Sequence, residues 1–185
     1  LDSSVLKCWG RNTWGNLGQG HNENIGTGAD LDSNGISCHP TLNTDLTTRE
    51  CNARMGDGLP AVDLGDGRTA VSVSAGYAST CAILDNGDLK CWGYDPVGQL
   101  GDGGGYTNTN EPSTTAIDLG TGRTAVAVSA GNGHTCAILD NGEAKCWGRD
   151  NYGQLGNGAG TTDQGSPVSV SGGDTWDTTR TASSG

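Results

Sequence analysis

Apolar positions in this chain gather into short runs separated by glycine and polar residues, with no helical stripe. Three runs recur. Ala70-Val-Ser-Val73 returns as Ala125-Val-Ala-Val128, Thr80-Cys-Ala-Ile-Leu84 as Thr135-Cys-Ala-Ile-Leu139, and Lys90-Cys-Trp92 as Lys145-Cys-Trp147, each 55 residues later. Runs of this length, bounded by Gly, Asp and Asn, predict short β-strands. A period of this size with short strands predicts a propeller or a solenoid, and it moves the functional question from one active site to a repeated surface.

The repeat divides the chain. Residues 1–60 form a partial repeat carrying a long Asn-, Thr-, Asp- and Gly-rich insertion (20–60), read as a surface loop. Residues 61–115 and 116–170 are full repeats. Each predicts three strands, then Gly-Gln-Leu-Gly (98–101, 153–156) and a polar loop. Residues 171–185 hold Asp177-Thr-Thr-Arg-Thr-Ala182, a divergent or truncated start of a further repeat.

Composition reinforces an all-β reading. The chain has 33 Gly, no Phe and 32% hydrophobic residues among 185. The longest apolar stretches are strand-sized, so no membrane span is expected. The net charge is −11 and the ten basic residues are scattered. That argues against a nucleic-acid partner, which needs clustered Lys and Arg.

Seven cysteines indicate the compartment. A three-residue turn at Asp85-Asn86-Gly87, closed by Gly87 in the left-handed conformation, sets Leu84 against Asp88. Counting outward, Cys81 faces Cys91 on a non-hydrogen-bonded pair, where Cα atoms approach to about 4.5 Å. The same count sets Cys136 against Cys146. Both read as cross-strand disulfides. The alternative is a metal site, although neither a Cys-x-x-Cys nor a supporting His pair is present. Cys38 and Cys51 are expected to close the insertion on itself. Disulfides place the protein in an oxidising compartment, secreted or at a cell surface.

Cys8 is left without a partner in the chain. Leu1-Asp-Ser-Ser-Val-Leu-Lys-Cys8-Trp9-Gly10 aligns with Leu84-Asp-Asn-Gly-Asp-Leu-Lys-Cys91-Trp92-Gly93, so the chain begins inside a hairpin turn. The expectation is a fragment of a longer chain, or a neighbouring subunit that supplies the missing strand and cysteine.

With these residues in view, the chain resembles the regulator of chromosome condensation repeat family. Gly131-Asn-Gly-His134-Thr135, Asp140-Asn-Gly142, Trp147-Gly148 and Gly153-Gln-Leu-Gly156 match that family's repeat in order; the preceding copy has Ser79 in place of His134. The resemblance implies β-propeller blades of four-stranded antiparallel sheets, seven in a full ring. Seven copies of 55 need about 385 residues, so about three repeats make an incomplete ring. It also implies a structural role for His134 within its blade.

Little here points to catalysis. No Ser or Cys nucleophile stands out beside His134. Trp9, Trp92 and Trp147 recur at one repeat position and predict packing between blades. Trp14 and Trp176 fall outside the pattern and are candidate contacts. Asp63-Leu-Gly-Asp66 and Asp118-Leu-Gly-Thr121 match no calcium-loop spacing, which leaves turns or weak calcium sites. No cofactor is expected. The reading is a non-catalytic extracellular structural or adhesive scaffold. It would bind a protein partner, or further copies or segments of itself, through loops at 20–60, 102–112 and 157–166. The alternatives are a secreted, inhibitor-like binding propeller and, given the family, a guanine-nucleotide exchange factor.

Overall fold

The computed structural model describes residues 5–25 and 59–172. Seven strands lie among them: β1 (Ala70–Ala75), β2 (Ser79–Leu84), β3 (Leu89–Gly93), β4 (Ala125–Ala130), β5 (His134–Leu139), β6 (Ala144–Gly148) and β7 (Gln164–Ser169). They form two antiparallel sheets, ordered β1-β2-β3 and β4-β5-β6-β7. The fold is all-β, and each sheet is one blade.

The register follows from the turns. Gly87 and Gly142 both have φ +82°, the left-handed conformation that closes the three-residue turn. Leu84 N donates to Asp88 O at 2.8 Å, and Cys81 then stands opposite Cys91. The equivalent bond from Leu139 N to Glu143 O, 2.8 Å, sets Cys136 opposite Cys146. The same turns are clipped to the segment entering each blade. Thr69 N donates to Asp85 Oδ1 and Thr124 N to Asp140 Oδ1, both at 3.1 Å. Arg68 and Arg123 pair with the same carboxylates at 3.4 and 3.2 Å. The recurring Gly-Arg-Thr-Ala is thus the strap that holds the hairpin tip.

The fourth strand varies between repeats. In the last blade β7 pairs with β6. It carries Pro167, which a sheet edge tolerates because no ladder partner needs its missing N–H. In the preceding blade the fourth strand shrinks to one bridge, Gly93 to Thr109, with a further bond from Ile117 N to Leu89 O at 2.8 Å. Among the described residues the four-stranded expectation therefore holds for the last blade, while the turn-rich stretch 101–115 gives the preceding one too little extended chain. In the first repeat the equivalent contacts are Gly10 with Ile25 and Val62 N to Leu6 O at 2.8 Å. The insertion thus leaves this strand position after Ile25 and returns at Leu59. Both are buried and cluster with Leu17.

The main core lies between the blades. It joins Cys81, Leu89 and Leu100 of one repeat to Val128, Leu139 and Trp147 of the next. Strands β1 and β4 lie at the sheet edges, with Val71, Val73 and Val126 turned to solvent.

Candidate functional site

Two joints between consecutive repeats share one construction. Trp92 Nε1 donates to Asn16 O at 3.1 Å, and Trp147 Nε1 to Gln99 O at 3.0 Å. The same two carbonyls accept from Thr80 Oγ1 at 2.8 Å and Thr135 Oγ1 at 2.9 Å. Each indole lies against a glycine of the preceding loop. A Cβ on Gly18 would stand 2.7 Å from Trp92 Nε1, and one on Gly101 would overlap the Trp147 ring. Both tryptophans are fully buried. The glycine–x–leucine–glycine loop is therefore a socket: its last glycine admits the ring, and its second residue offers a carbonyl to the indole N–H.

An aspartate or asparagine sets the loop's shape. Leu17 N donates to Asn12 Oδ1 (2.8 Å), Leu100 N to Asp95 Oδ1 (2.9 Å) and Leu155 N to Asp150 Oδ1 (3.0 Å). All three side chains are buried. Asn12 also donates from Nδ2 to His21 O at 2.8 Å. Burial pushes the Asp95 carboxyl up to about 6, against the Leu100 N–H that lowers it, with Asp102 adding a smaller upward push. Neither these residues nor their spacing were singled out in the sequence. The signal available was Asn or Asp five residues before each socket leucine.

Trp9 departs from its counterparts. It occupies the same repeat position as Trp92 and Trp147 yet is 55% exposed, because no loop of the described residues covers it. The packing seen at Trp92 and Trp147 is thus not repeated at Trp9 among the described residues. Cys8 beside it is a free thiol, pushed up to about 11 by burial. Cys81–Cys91 and Cys136–Cys146 are disulfides, each with Cα atoms 4.1 Å apart. Cys38, Cys51 and Trp176 lie outside the described residues. His134 opens β5, half-buried, and its carbonyl accepts from Gly131 N at 2.8 Å.

The exposed chemistry is aromatic. Trp14 is 38% exposed and lies 4.5 Å, ring centre to ring centre, from Tyr94. Tyr77, on the β1–β2 turn, is 75% exposed. With Arg11, Thr13, Asn16 and Ala78, Trp14 and Tyr77 line a shallow cleft between the first and second repeats. The Asp63 and Asp118 carboxylates cap their own turns, accepting from Gly65 N and Gly120 N at 2.8 Å. Among the described residues no three acidic, His or Cys side chains gather as metal ligands, and no helix is long and apolar enough to cross a membrane.

The comparisons with known proteins agree with this architecture. Two models of the regulator of chromosome condensation (RCC1) repeat match, one at residues 70–99 and 125–154, the other at 86–138. The chain is similar to the X-linked retinitis pigmentosa GTPase regulator homolog of Caenorhabditis elegans, 33% identical over 126 residues, covering 63% of this chain and 9% of that protein. It is also similar to the ultraviolet-B receptor UVR8 of Arabidopsis thaliana, 34% identical over 86 residues, covering 46% of this chain and 19% of the receptor. It therefore spans less than a fifth of either relative. In fold it is similar to the crystal structure of Prp20p from Saccharomyces cerevisiae, with a TM-score of 0.59 and 19% identity, over 89% of this chain and 34% of that one. Repeat sequence and blade register agree: residues 70–154 carry repeats of the regulator of chromosome condensation family.

Proposed function

We propose that this chain is a non-catalytic scaffold that works by binding protein, outside reducing compartments, as a structural or adhesive module of a larger surface protein. The cleft carries the binding reading. Trp14 and Tyr77, which line it, and Tyr94 packed against Trp14 are amphipathic aromatics beside a disulfide-stapled blade, and such residues supply contact area at low entropic cost. The frame is rigid and the cleft-forming segments are turns, which is the usual division between scaffold and recognition. The structure of Prp20p is described by its binding to Gsp1p and histones, and protein binding of that general kind is the reading we carry over to this blade surface. The two cystines support an oxidising location. An exchange factor in a reducing compartment would carry these four cysteines as thiols.

The test combines location and contact. Protein from its native source, alkylated without reduction, is expected to show Cys81–Cys91 and Cys136–Cys146 oxidised. Four alkylated thiols there would overturn the extracellular assignment. A photo-crosslinking residue at Tyr77 is expected to capture a protein partner, with capture lost in Trp14→Ala. Equal capture from Val126 on the sheet edge would remove the cleft as the contact surface.

A further inference from the structure

The first joint between repeats carries surface chemistry that the second does without. Counted by the repeat, Arg11, Thr13 and Trp14 correspond to Tyr94, Pro96 and Val97. Likewise Tyr77, Ala78 and Tyr94 correspond to Asn132, Gly133 and Arg149. Both joints seat their indole alike, Trp92 Nε1 on Asn16 O and Trp147 Nε1 on Gln99 O. At the second joint Arg149 and Val97 gather at Gly133, where a Cβ would stand 3.4 and 3.6 Å from them. The Trp14–Tyr94 pair and the exposed Tyr77 are therefore not what holds consecutive repeats together. The polar side chains of the first cleft are arranged around one cation. Arg11 Nε donates to Thr13 Oγ1 at 2.9 Å, and Asn16 Nδ2 donates to the Arg11 carbonyl at 2.9 Å. Arg68 and Arg123 are paired with Asp85 and Asp140. The terminal nitrogens of exposed Arg11 meet no carboxylate among the described residues, in a chain of net charge −11.

We propose that the cleft takes an acidic peptide segment, an Asp or Glu side chain on the Arg11 guanidinium and a neighbouring proline or aliphatic side chain against Trp14 and Tyr77. Charge selects the occupant. A guanidinium donates in a planar fork and cannot accept, which matches a carboxylate through two parallel bonds. A neutral sugar needs acceptors as well as donors, and the Thr13 hydroxyl and Asn16 amide that could serve one are turned to Arg11. The rings supply the apolar half of the contact, as aromatic-lined grooves do for proline-containing segments. This rests on the cleft being the protein-contact surface and adds what that surface selects.

Short capped peptides test it. Each carries an Asp one, two or three residues after a proline pair in a glycine background, and each has a twin with Asn in that place. Binding is read from the indole N–H resonance of Trp14, while those of Trp92 and Trp147 report that every variant keeps its joints. In at least one spacing the Asp peptide is expected to bind about tenfold or more tightly than its twin, the strength of a charge-assisted bond. The difference should shrink at high salt. Arg11→Gln, at an exposed site, is expected to abolish the preference and leave the Asn peptide unchanged. Arg11→Lys, which keeps the charge without the fork, should retain only part of it. Twins that bind equally at every spacing, or not at all, would overturn the proposal, as would a preference that survives Arg11→Gln. If crosslinking from Tyr77 still captured protein after such a result, the cleft would remain a contact surface with no selection for acid. Loss of both would remove the cleft itself.

Discussion

Residues 5–25 and the two later repeats place the same side chains in different surroundings. Trp9, Trp92 and Trp147 share one repeat position, but the first is half exposed and the others are sealed. Cys8 shares its position with Cys91 and Cys146, yet it is a thiol where they are cystines. Asn12 shares its position with Asp95 and Asp150, and all three hold a socket by the same bond. A repeat thus fixes a residue's backbone setting but not its energetic weight. The neighbouring repeat decides that, which is the nearest-neighbour behaviour of repeat architectures.

The comparison breaks most visibly at tryptophan. Trp147→Ala or Trp92→Ala is expected to cost about 3–5 kcal/mol, from lost burial plus the cavity left behind. Trp9→Ala should fall within about 0.5 kcal/mol of wild type, as substitutions at exposed sites do. Urea denaturation followed by circular dichroism reads all three. Equal costs would mean that Trp9 is covered in solution by a contact absent among the described residues.

Cysteine gives the next largest difference. Replacing both Cys136 and Cys146 by Ala is expected to cost about 2–3 kcal/mol, since the bond closes a short loop (sequence separation 10) and short loops gain least. Cys8→Ala should change stability by less than about 1 kcal/mol, the scale of a small, partly exposed truncation. If reduction of the wild-type chain leaves the denaturation midpoint unmoved, the staples contribute nothing to the frame.

Much of this was legible in the sequence because its signals were local. The Asp-Asn-Gly turn fixes the hairpin register within ten residues, so the facing of Cys81 with Cys91 follows by counting. The 55-residue offset carries that result to the second copy. What escaped depended on partners further away. The exposure of Trp9 depends on what lies over it rather than on its own repeat position, and no pattern within residues 1–20 encodes it. Strand β7 escaped because Gln-Gly-Ser-Pro-Val-Ser has little apolar alternation and a proline inside it. Its strand character comes from pairing with β6 at a sheet edge. The cleft combines turns 64 residues apart, Thr13 with Tyr77, and no spacing rule joins them.

Asn12 and Asp95 allow a subtler test. The carboxyl of Asp95 is pushed up to about 6, mainly by burial, from an ordinary value near 3.9 in the unfolded chain. The folded state therefore holds a proton that the unfolded state has lost between roughly pH 4 and pH 6. Stability from this group is greatest below about pH 4 and falls as pH rises through about 6. Asn12 achieves the protonated pattern permanently, accepting through Oδ1 and donating through Nδ2. Asp95→Asn should then stabilise the chain by about 1–3 kcal/mol at pH 7.5 and by almost nothing at pH 4. Thermal melts of both chains at the two pH values decide it. A constant difference would show that Asp95 is already ionised and solvated in the fold.

The smallest effect at neutral pH lies in Cys8 and is read by its reactivity rather than by stability. Burial pushes its thiol up to about 11, and only the thiolate is nucleophilic. At pH 8 roughly one part in a thousand is thiolate, against about a quarter for an ordinary cysteine near 8.5. Iodoacetamide should therefore label folded Cys8 roughly two hundredfold more slowly than the unfolded chain, with the rate rising tenfold per pH unit up to about 11. The dependence separates two ways a thiol is protected. A blocked approach slows labelling equally at every pH, whereas a disfavoured charge is relieved as the solution becomes alkaline. Fast labelling at pH 8 would show that the strand bearing Cys8 and Trp9 opens readily, and the contrast between the first repeat and its neighbours would then extend from side-chain burial to the backbone itself.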